Sequence, residues 1–367
     1  MKCCIIDFRQ PENRDNTMDN LKYLPFAQIN LQDPFFDSLK QDYVEFPQWF
    51  VKKAQAYAYV LYSAQDNSIQ GFMYLKTEEK VDDVTPQLLS SALKIGTFKF
   101  NPQQTLRGHR FLKKALDVAI HQNLRYVYLT VFAKHEGLIK LIETYGFYRH
   151  GEKQSDNGTE YVYVRDLSLI QGDILKDYPL VKPQSVNKYL LAIEPKYHTA
   201  LIPEAILNNE CLDIVKDVSH SNSIQKIYLS AAYNAPELKK GDLLLMYRKS
   251  DGTAPAAFRS VVSAVCTVLE VKNIHDFTDE KKYLDYCEKF SVFSKKELCQ
   301  FYANKRYPYI IRFAFNFAFP KRPIRQQLID DVGISTERLV LMAITDQQFN
   351  HILKLGNINE NFIIHQT

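Results

Sequence analysis

The sequence predicts an α+β (mixed α/β) chain in two units: an N-terminal twisted sheet with flanking helices, then a small β-barrel with peripheral helices. Three observations predict it. Residues 92–147 run through strand, basic turn, helix, strand and helix patterns in that order. After residue 185, short apolar strands follow one another with helices at the margins. Between these regions, residues 167–184 carry Gly172, Pro179 and Pro183, as a connecting stretch does. A length of 367 residues agrees with two domains. The expected boundaries are a disordered extension over 1–20, a first domain over 21–166, a linker over 167–184 and a second domain over 185–367.

The elements of the first domain follow in order. Pro34–Lys40 and Phe46–Lys53 read as two short helices, the first with Asp33 as N-cap and Pro34 at its first position. Ala58–Tyr62 and Ile69–Leu75 read as a hairpin around residues 65–68. Leu93–Phe100 is a strand, and a helix starts near Phe111. That helix buries Phe111, Leu112, Ala115, Leu116 and Ala119 and turns Lys113, Lys114 and Asp117 to water. Arg125–Phe132 is the next strand. Strands over 147–153 and 159–165 close the domain around Asp156-Asn157-Gly158.

In the second domain, strands are expected at Lys188–Ile193, Lys226–Ser230, Leu243–Arg248, Ala257–Val268 and Tyr309–Phe319, with helices near 279–289, 294–304 and 346–355. Phe313, Phe315, Phe317 and Phe319 alternate at period two, which puts all four on one strand face and in a core.

Composition excludes several classes. Hydrophobic content of 46% supports packed cores, and only 12 Gly argue against low-complexity segments. No run approaches the roughly 18 continuous apolar residues of a membrane helix, so no membrane partner is expected. The first residues turn polar too quickly for a signal peptide, and translation starting at Met18 is an alternative to Met1. The six cysteines form no C-x-x-C pair, so neither a disulfide framework nor a metal site is expected, and a cytoplasmic location fits. A net charge of +4 permits an anionic ligand without identifying one.

The turn before the long helix carries the chemistry. Asn101–Arg110 contains Arg107, Gly108, His109 and Arg110 where a helix begins. Cations there oppose the positive end of the helix dipole, and a bound anion would remove the conflict. Two Arg side chains can hold phosphate oxygens through charge-assisted hydrogen bonds. His135 and Glu136 follow the second strand, where side chains can reach a slot. A neutral His suits proton abstraction near neutral pH, although both residues also fit the ordinary start of a helix. In the second domain, residues 298–329 contain no Asp or Glu but six Lys or Arg and eight aromatics. Basic residues draw phosphates and aromatics stack on unpaired bases. Arg306, and Lys321, Arg322 and Arg325 on a loop around Pro320 and Pro323, are therefore candidate nucleic-acid contacts.

Residues 21–166 resemble the GNAT family of N-acetyltransferases. The resemblance rests on the order of elements, the Arg107–Arg110 turn and the Gly146-Phe147 pair that ends the last helix. It implies acetyl-CoA as cofactor. It implies a backbone N–H near Thr97, Phe98, Lys99 and Phe100 as the oxyanion donor. It implies Arg107, Gly108, His109, Arg110 and Phe111 at the pyrophosphate. The sequence departs from the family at two places. Matched from Arg107, the family's Gly and Gly/Ala positions of the turn hold Arg110 and Leu112, with one Gly remaining at 108, and the usual acid Tyr is replaced by Ile142, leaving Tyr145 as the nearby candidate.

Residues 185–367 resemble PUA-like and ASCH-type domains, on the turn at Gly241-Asp242 and the strands after it. That resemblance implies RNA association and a base-sized pocket near Tyr233. Together the two imply an acetyltransferase acting on an amine of RNA, of aminoacyl-tRNA or of an RNA-bound protein. Some GNAT members are toxins that acetylate charged tRNA, and an antitoxin-like protein would then be a partner. Two alternatives stand beside this: an acetyltransferase on a small amine or protein lysine with a structural second domain, and a catalytically decayed RNA-binding or CoA-sensing module.

Overall fold

The computed structural model describes residues 19–63, 66–82, 84–101, 106–202, 223–252 and 255–365. Met18, Cys3, Cys4, Cys211 and residues 102–105 of the basic turn lie outside the described residues. The fold is mixed α/β, with two sheets and helices packed against both.

The first sheet holds β1 (Asp19–Pro25), β2 (Tyr57–Ser63), β3 (Ile69–Glu78), β4 (Ala92–Phe100), β5 (Tyr126–Val131), β6 (Tyr148–Ser155) and β7 (Gly158–Asp166). Their order across the sheet is β1-β2-β3-β4-β5-β7-β6. Every neighbouring pair is antiparallel except β4 and β5, whose parallel pairing needs a crossover, supplied by helix α3 (Arg107–His121). Strand β1 falls partly in the stretch expected to be disordered. Its signal is short, with Leu21 packed in the core and Lys22 and Leu24 half exposed.

Asp33 caps as expected: its carboxylate accepts from the N–H of Phe35 at 2.9 Å, opening a turn of 3-10 helix over Pro34–Phe36 that runs into α1 (Asp37–Asp42). Helix α2 (Phe46–Lys52) follows. Phe26, Phe36, Phe50 and Phe72 fill the layer between these helices and the sheet. The other face is covered by α3 and α4 (Glu136–Thr144).

Helix α3 begins at Arg107, earlier than its apolar periodicity announces. Phe111, Leu112, Ala115, Leu116 and Ala119 are buried as expected. Lys113, expected in water, is buried too, with its Nζ 4.6 Å from the ring centre of Phe315 in the second lobe. One helical stripe further on, the Ile120 carbonyl accepts from Asn359 Nδ2 at 3.4 Å and the His121 ring meets Phe362 edge-on. A lysine's long stem can pack on apolar surface while its charge meets an aromatic face, and no pattern internal to the helix announces that a second lobe covers this side.

The second sheet holds β8 (Lys188–Ile193), β9 (Gln225–Ser230), β10 (Leu243–Arg248), β11 (Val261–Asn273), β12 (Tyr309–Ala318) and β13 (Leu341–Ile344), in the order β13-β8-β10-β11-β12-β9. Around it lie α5 (Pro195–Leu201), α6 (Ala256–Arg259), α7 (Glu280–Cys287), α8 (Lys295–Asn304), α9 (Arg325–Asp330) and α10 (Asp346–Leu355). The start of the strand expected from Ala257 is the helical turn α6 instead, entered from Pro255. Helices α5 and α9 and strand β13 are short elements without a sequence period long enough to register.

The four alternating phenylalanines, three on β12 and Phe319 just after it, do not share a face. Val265 and Cys266 of β11 oppose Phe317 and Phe315, so Asn316 is the extra residue of a bulge. The parity flips there: Phe313 and Phe315 join one core and Phe317 and Phe319 the other. Asn316, fully buried, justifies the bulge chemically. Its Nδ2 donates to the carbonyls of Pro179 (3.2 Å) and Leu180 (3.3 Å), and its Oδ1 accepts from Thr267 Oγ1 (2.9 Å).

Those carbonyls belong to the stretch expected as a linker, which is packed over much of its length. Asp177 accepts from the N–H groups of Gln171 (2.7 Å) and Gly172 (2.8 Å), Tyr178 is fully buried, and Val181 bridges to Ile363. Gly146 is required at its neighbour: its φ is +79°, and a Cβ there would stand 2.2 Å from the Lys176 carbonyl oxygen.

Replacing Asn316 by Leu leaves the Thr267 hydroxyl and two carbonyls without their partner. We expect a loss of about 3 kcal/mol, read as a lower urea midpoint at unchanged m-value.

Candidate active site

Strands β4 and β5 pair over only three positions, Ala92–Tyr126, Leu93–Val127 and Lys94–Tyr128. Beyond these the two strands part. The parting coincides with a bulge in β4. Tyr74 and Leu75 of β3 oppose Thr97 and Ile95, so Gly96 is the extra residue. Gly96 is exposed although it lies mid-sheet, and a side chain there would press on the Tyr74 ring, 3.0 Å from the Cβ position. A cavity of about 380 Å³ occupies the gap. Its floor is Ile95–Phe98 of β4 and Leu129–Val131 of β5, and its walls come from α1, α2, β3, β6, β7 and the start of α4.

Of the expected catalytic residues, His135 lines this cavity and Glu136 and Tyr145 do not. The His135 Nε2 stands 3.7 Å from Asp42 Oδ2, and Asp42 also holds Lys134 Nζ at 2.5 Å. Burial pulls the His135 pKa below its ordinary value; Asp42 opposes this, while Lys134 and Lys99 reinforce it. His135 is therefore a neutral imidazole near pH 7. Glu136 is exposed in the first turn of α4, where the helix dipole favours a carboxylate.

Tyr145 is fully buried between the lobes. Its Oη lies 2.9 Å from His109 Nδ1 and accepts from Gln225 Nε2 at 3.3 Å. Burial pushes its phenol up to about 12, against the hydrogen bond from Gln225 and the charge of Arg312.

The expected cofactor residues divide by place. Thr97 and Phe98 line the cavity. Lys99 turns to the α1 side, where its Nζ bonds the Phe35 carbonyl and Ser38 Oγ, and burial lowers its pKa. Phe98 and Phe100 face α3, with ring centres 5.5 Å apart and Phe111 against Phe98. Gly108 is the point where α3 comes close to its neighbours: a Cβ would meet Leu141 Cδ2 at 2.6 Å and Phe100 Cζ at 2.7 Å. Arg107 and Arg110 are buried, and Arg107 Nη1 donates to the Asn101 carbonyl at 3.2 Å. His109 is held neutral, its pKa drawn from 6.5 to about 4 by burial and then by Lys289.

Several cavity residues escaped the sequence reading. Tyr43 donates to Glu160 Oε1 at 2.8 Å across 117 positions of chain, and its phenol pKa is raised by burial and then by that carboxylate. Trp49, Phe46 and Tyr74 form an aromatic wall. Glu78 gathers Lys76 at 2.8 Å, Lys94 at 3.9 Å and the Tyr128 hydroxyl; burial alone would raise its pKa, but these partners outweigh it and the net shift is down. Only Gly96 left a local signal, a glycine inside an otherwise continuous strand.

The expected nucleic-acid residues are spread out in exposure. Arg306 and Lys321 are exposed, Arg322 is half-buried, and Tyr233 is 89% exposed beside β9. Arg325, expected on an exposed loop, is buried at the start of α9. Its Nη2 donates to the carbonyls of Ser335 and Glu337, which anchor it as a structural strut. Among the described residues no group of three His, Cys, Asp or Glu side chains could hold a metal ion, and no helix is long and apolar enough to cross a membrane.

No protein-family model matches the chain, and no curated protein matches it. Solved structures of two kinds are similar to parts of it, and they are the two kinds that the sequence resembles. An acetyltransferase of the GNAT family from Bacillus anthracis is 14% identical with a TM-score of 0.30, covering 40% of this chain and 93% of that one. Ard1 from Thermoplasma volcanium is 17% identical with a TM-score of 0.27, covering 41% and 97%. The ASCH protein of Zymomonas mobilis is 9% identical with a TM-score of 0.30, covering 46% and 94%. At these values the likeness carries no argument about chemistry, which rests on the site itself.

His109, half-buried, and His198, buried, are both held neutral. His198 Nε2 lies 2.6 Å from Ser263 Oγ, and burial, then Arg248 and Arg322, draw its pKa from 6.5 to about 3. The unfolded chain binds these protons near pH 6.5 and the folded chain does not. Stability is therefore complete above that pH and falls as the pH drops, towards about 4 for His109 and about 3 for His198. Melting temperature should decline from about pH 6.5 downward, less steeply in His198→Gln. An equally steep decline in that variant would contradict the assignment.

Proposed function

We propose that the first lobe binds acetyl-CoA and transfers its acetyl group to an amine, and that the second lobe brings RNA or an RNA-bound acceptor to it. The observation that carries this reading is the parting of β4 from β5 after three residue pairs, at a bulge that opens backbone to a cavity with a neutral imidazole on its lip. Bound acetyl-CoA would supply an acyl thioester at that point.

The residues present fit such a group at the slot. Parted strands leave backbone N–H and C=O groups on facing edges, and an extended arm carrying amides can pair there as an added strand. The N–H groups around Gly96 and Thr97 are the candidate donors for the charge that develops on an acyl oxygen. His135 takes the proton of the attacking amine, with Asp42 stabilising the imidazolium that results. Tyr43 and Glu160 border the same cavity and can orient an ammonium group before it loses its proton. The diphosphate would be held at the first turn of α3 by half-buried His109, with Gly108 and Phe111 packed beneath; Arg107 and Arg110, expected there as well, are buried and would have to turn outward to reach it. Tyr145, expected as the acid, is buried and already hydrogen-bonded, so direct contact with a leaving thiolate would require it to move.

That burial of Tyr145 specifically favours a second reading, a lobe that binds acetyl-CoA without turnover and senses it. The acceptor side of the first reading draws on Tyr233, Arg306, Lys321 and Arg322, which a polyanion could reach. A small amine or protein lysine as acceptor would leave those residues idle.

Three outcomes test this. Thr130→Trp fills the slot from β5 without touching a core contact, and should weaken acetyl-CoA binding by calorimetry at least about tenfold at unchanged melting temperature. His135→Gln should lower kcat by about 100-fold and remove the acidic limb of the pH–rate profile, while binding is retained; binding with no thiol release in any extract favours the sensing reading. tRNA affinity should fall steeply with salt, and less steeply after Lys321→Ala and Arg306→Ala.

A further inference from the structure

We infer that Gln225 and Arg312 of the second lobe are positioning residues that fix the proton of His109 on Nε2, at the first turn of α3. Its bearing on a bound acyl carrier rests on the function proposed above; the proton's position does not.

The inference follows from a chain of hydrogen bonds with only one consistent direction. Arg312 on β12 is a donor at every nitrogen. Its Nε and Nη2 lie 3.2 and 2.6 Å from Gln225 Oε1, and its Nη1 lies 3.3 Å from Glu270 Oε1. Glu270 is itself held by the Tyr286 hydroxyl at 2.7 Å, and the guanidinium rests 4.8 Å from the Phe290 ring centre. The atom of Gln225 that meets Arg312 must therefore be its oxygen, which sets the amide without ambiguity. Gln225 Nε2 then faces Tyr145 and donates to Oη at 3.3 Å.

Tyr145 has one proton left to place. It is fully buried, and among the described residues its other hydrogen-bond partner is His109 Nδ1 at 2.9 Å. If Nδ1 carried a proton, the Tyr145 O–H would be buried without an acceptor, which costs about 1–3 kcal/mol. The O–H therefore donates to a bare Nδ1, and the imidazole proton sits on Nε2. Lys289 nearby and the positive end of α3 both disfavour a doubly protonated ring. Among the described residues the Nε2–H has no hydrogen-bond partner. The turn thus presents a neutral donor, suited to an anion's oxygens, whose polarity is dictated from 203 positions away along the chain (Arg312 against His109).

The test reads the tautomer directly. In protein labelled with 15N-histidine, two-bond 15N–1H correlations at neutral pH distinguish Nε2–H from Nδ1–H rings, and His109→Gln identifies the signal. The wild-type chain should show His109 as a single Nε2–H tautomer. Gln225→Glu keeps shape and keeps the bonds from Arg312, but a carboxylate cannot donate. Tyr145 must then give its proton to residue 225 and accept one from His109, so the tautomer should reverse to Nδ1–H. A packing role alone would leave it unchanged.

Arg312→Met should raise the ratio of Nδ1–H to Nε2–H about tenfold by freeing the amide to rotate. Tyr145→Phe, which retains the buried ring, should raise it as well if the Arg312 variant fails to fold. An Nδ1–H or doubly protonated His109 in the wild-type chain, or an unchanged tautomer in Gln225→Glu, overturns the inference. The measurement uses no acyl carrier, so failure of acetyl-CoA to bind would refute the proposed function and leave this result intact.

Discussion

Helix α3 is buried from two directions, and the arrangement of both lobes depends on that. One stripe, from Phe111 to Ala119, fills the underside of the first sheet. A second stripe, through Lys113, Ile120 and His121, meets Phe315, Asn359 and Phe362. A helix covered on both sides has little freedom to shift without opening a cavity in one core or the other, because protein interiors are close-packed. The same helix is the crossover that makes β4 and β5 parallel neighbours. Its position therefore sets both the gap between those strands and the seat of the second lobe.

The gap itself is an economy of backbone chemistry. Three residue pairs join β4 to β5, then the bulge at Gly96 redirects β4 and pairing ceases. Unpaired strand edges inside a sheet invite another extended group. Here the edges face a cavity walled by aromatics and by polar groups that partner one another, Glu78 with Lys76 and Lys94 and Glu160 with the Tyr43 hydroxyl. His135 stands at the lip with a depressed pKa, which leaves it able to accept a proton near neutrality.

Polar groups between the lobes are arranged with equal economy. Asn316 satisfies two carbonyls of the connecting stretch and a threonine hydroxyl, and Tyr145 joins α4 to β9 through Gln225. Buried polar networks of this kind specify one arrangement because any other leaves a donor or acceptor unpaired. The connecting stretch is consequently part of the packed structure, tied at Asp177, Tyr178 and Val181.

The sequence by itself determined the elements whose cause is local: the Asp33 cap and Pro34 turn, the hairpin on either side of residues 65–68, the strand and helix order from Ala92 to Phe147, and the helices after Asp279 and Ser294 with their capping side chains. These depend on periodicity and on side chains that reach only two or three residues. Of the site, Thr97 and Phe98 were legible through the family resemblance, which singles out the strand they lie in, and His135 because it follows the strongly apolar strand β5. Tertiary structure alone decided the rest. Lys113 and Arg325 are buried because distant segments cover them, and the phenylalanines of β12 divide between two cores because one extra residue reverses the pleat. Tyr43 meets Glu160, and Tyr145 meets Gln225, across separations that no local pattern encodes. A hydrogen bond is chosen by which donors and acceptors folding leaves buried together, and that set exists only once both lobes have closed on α3.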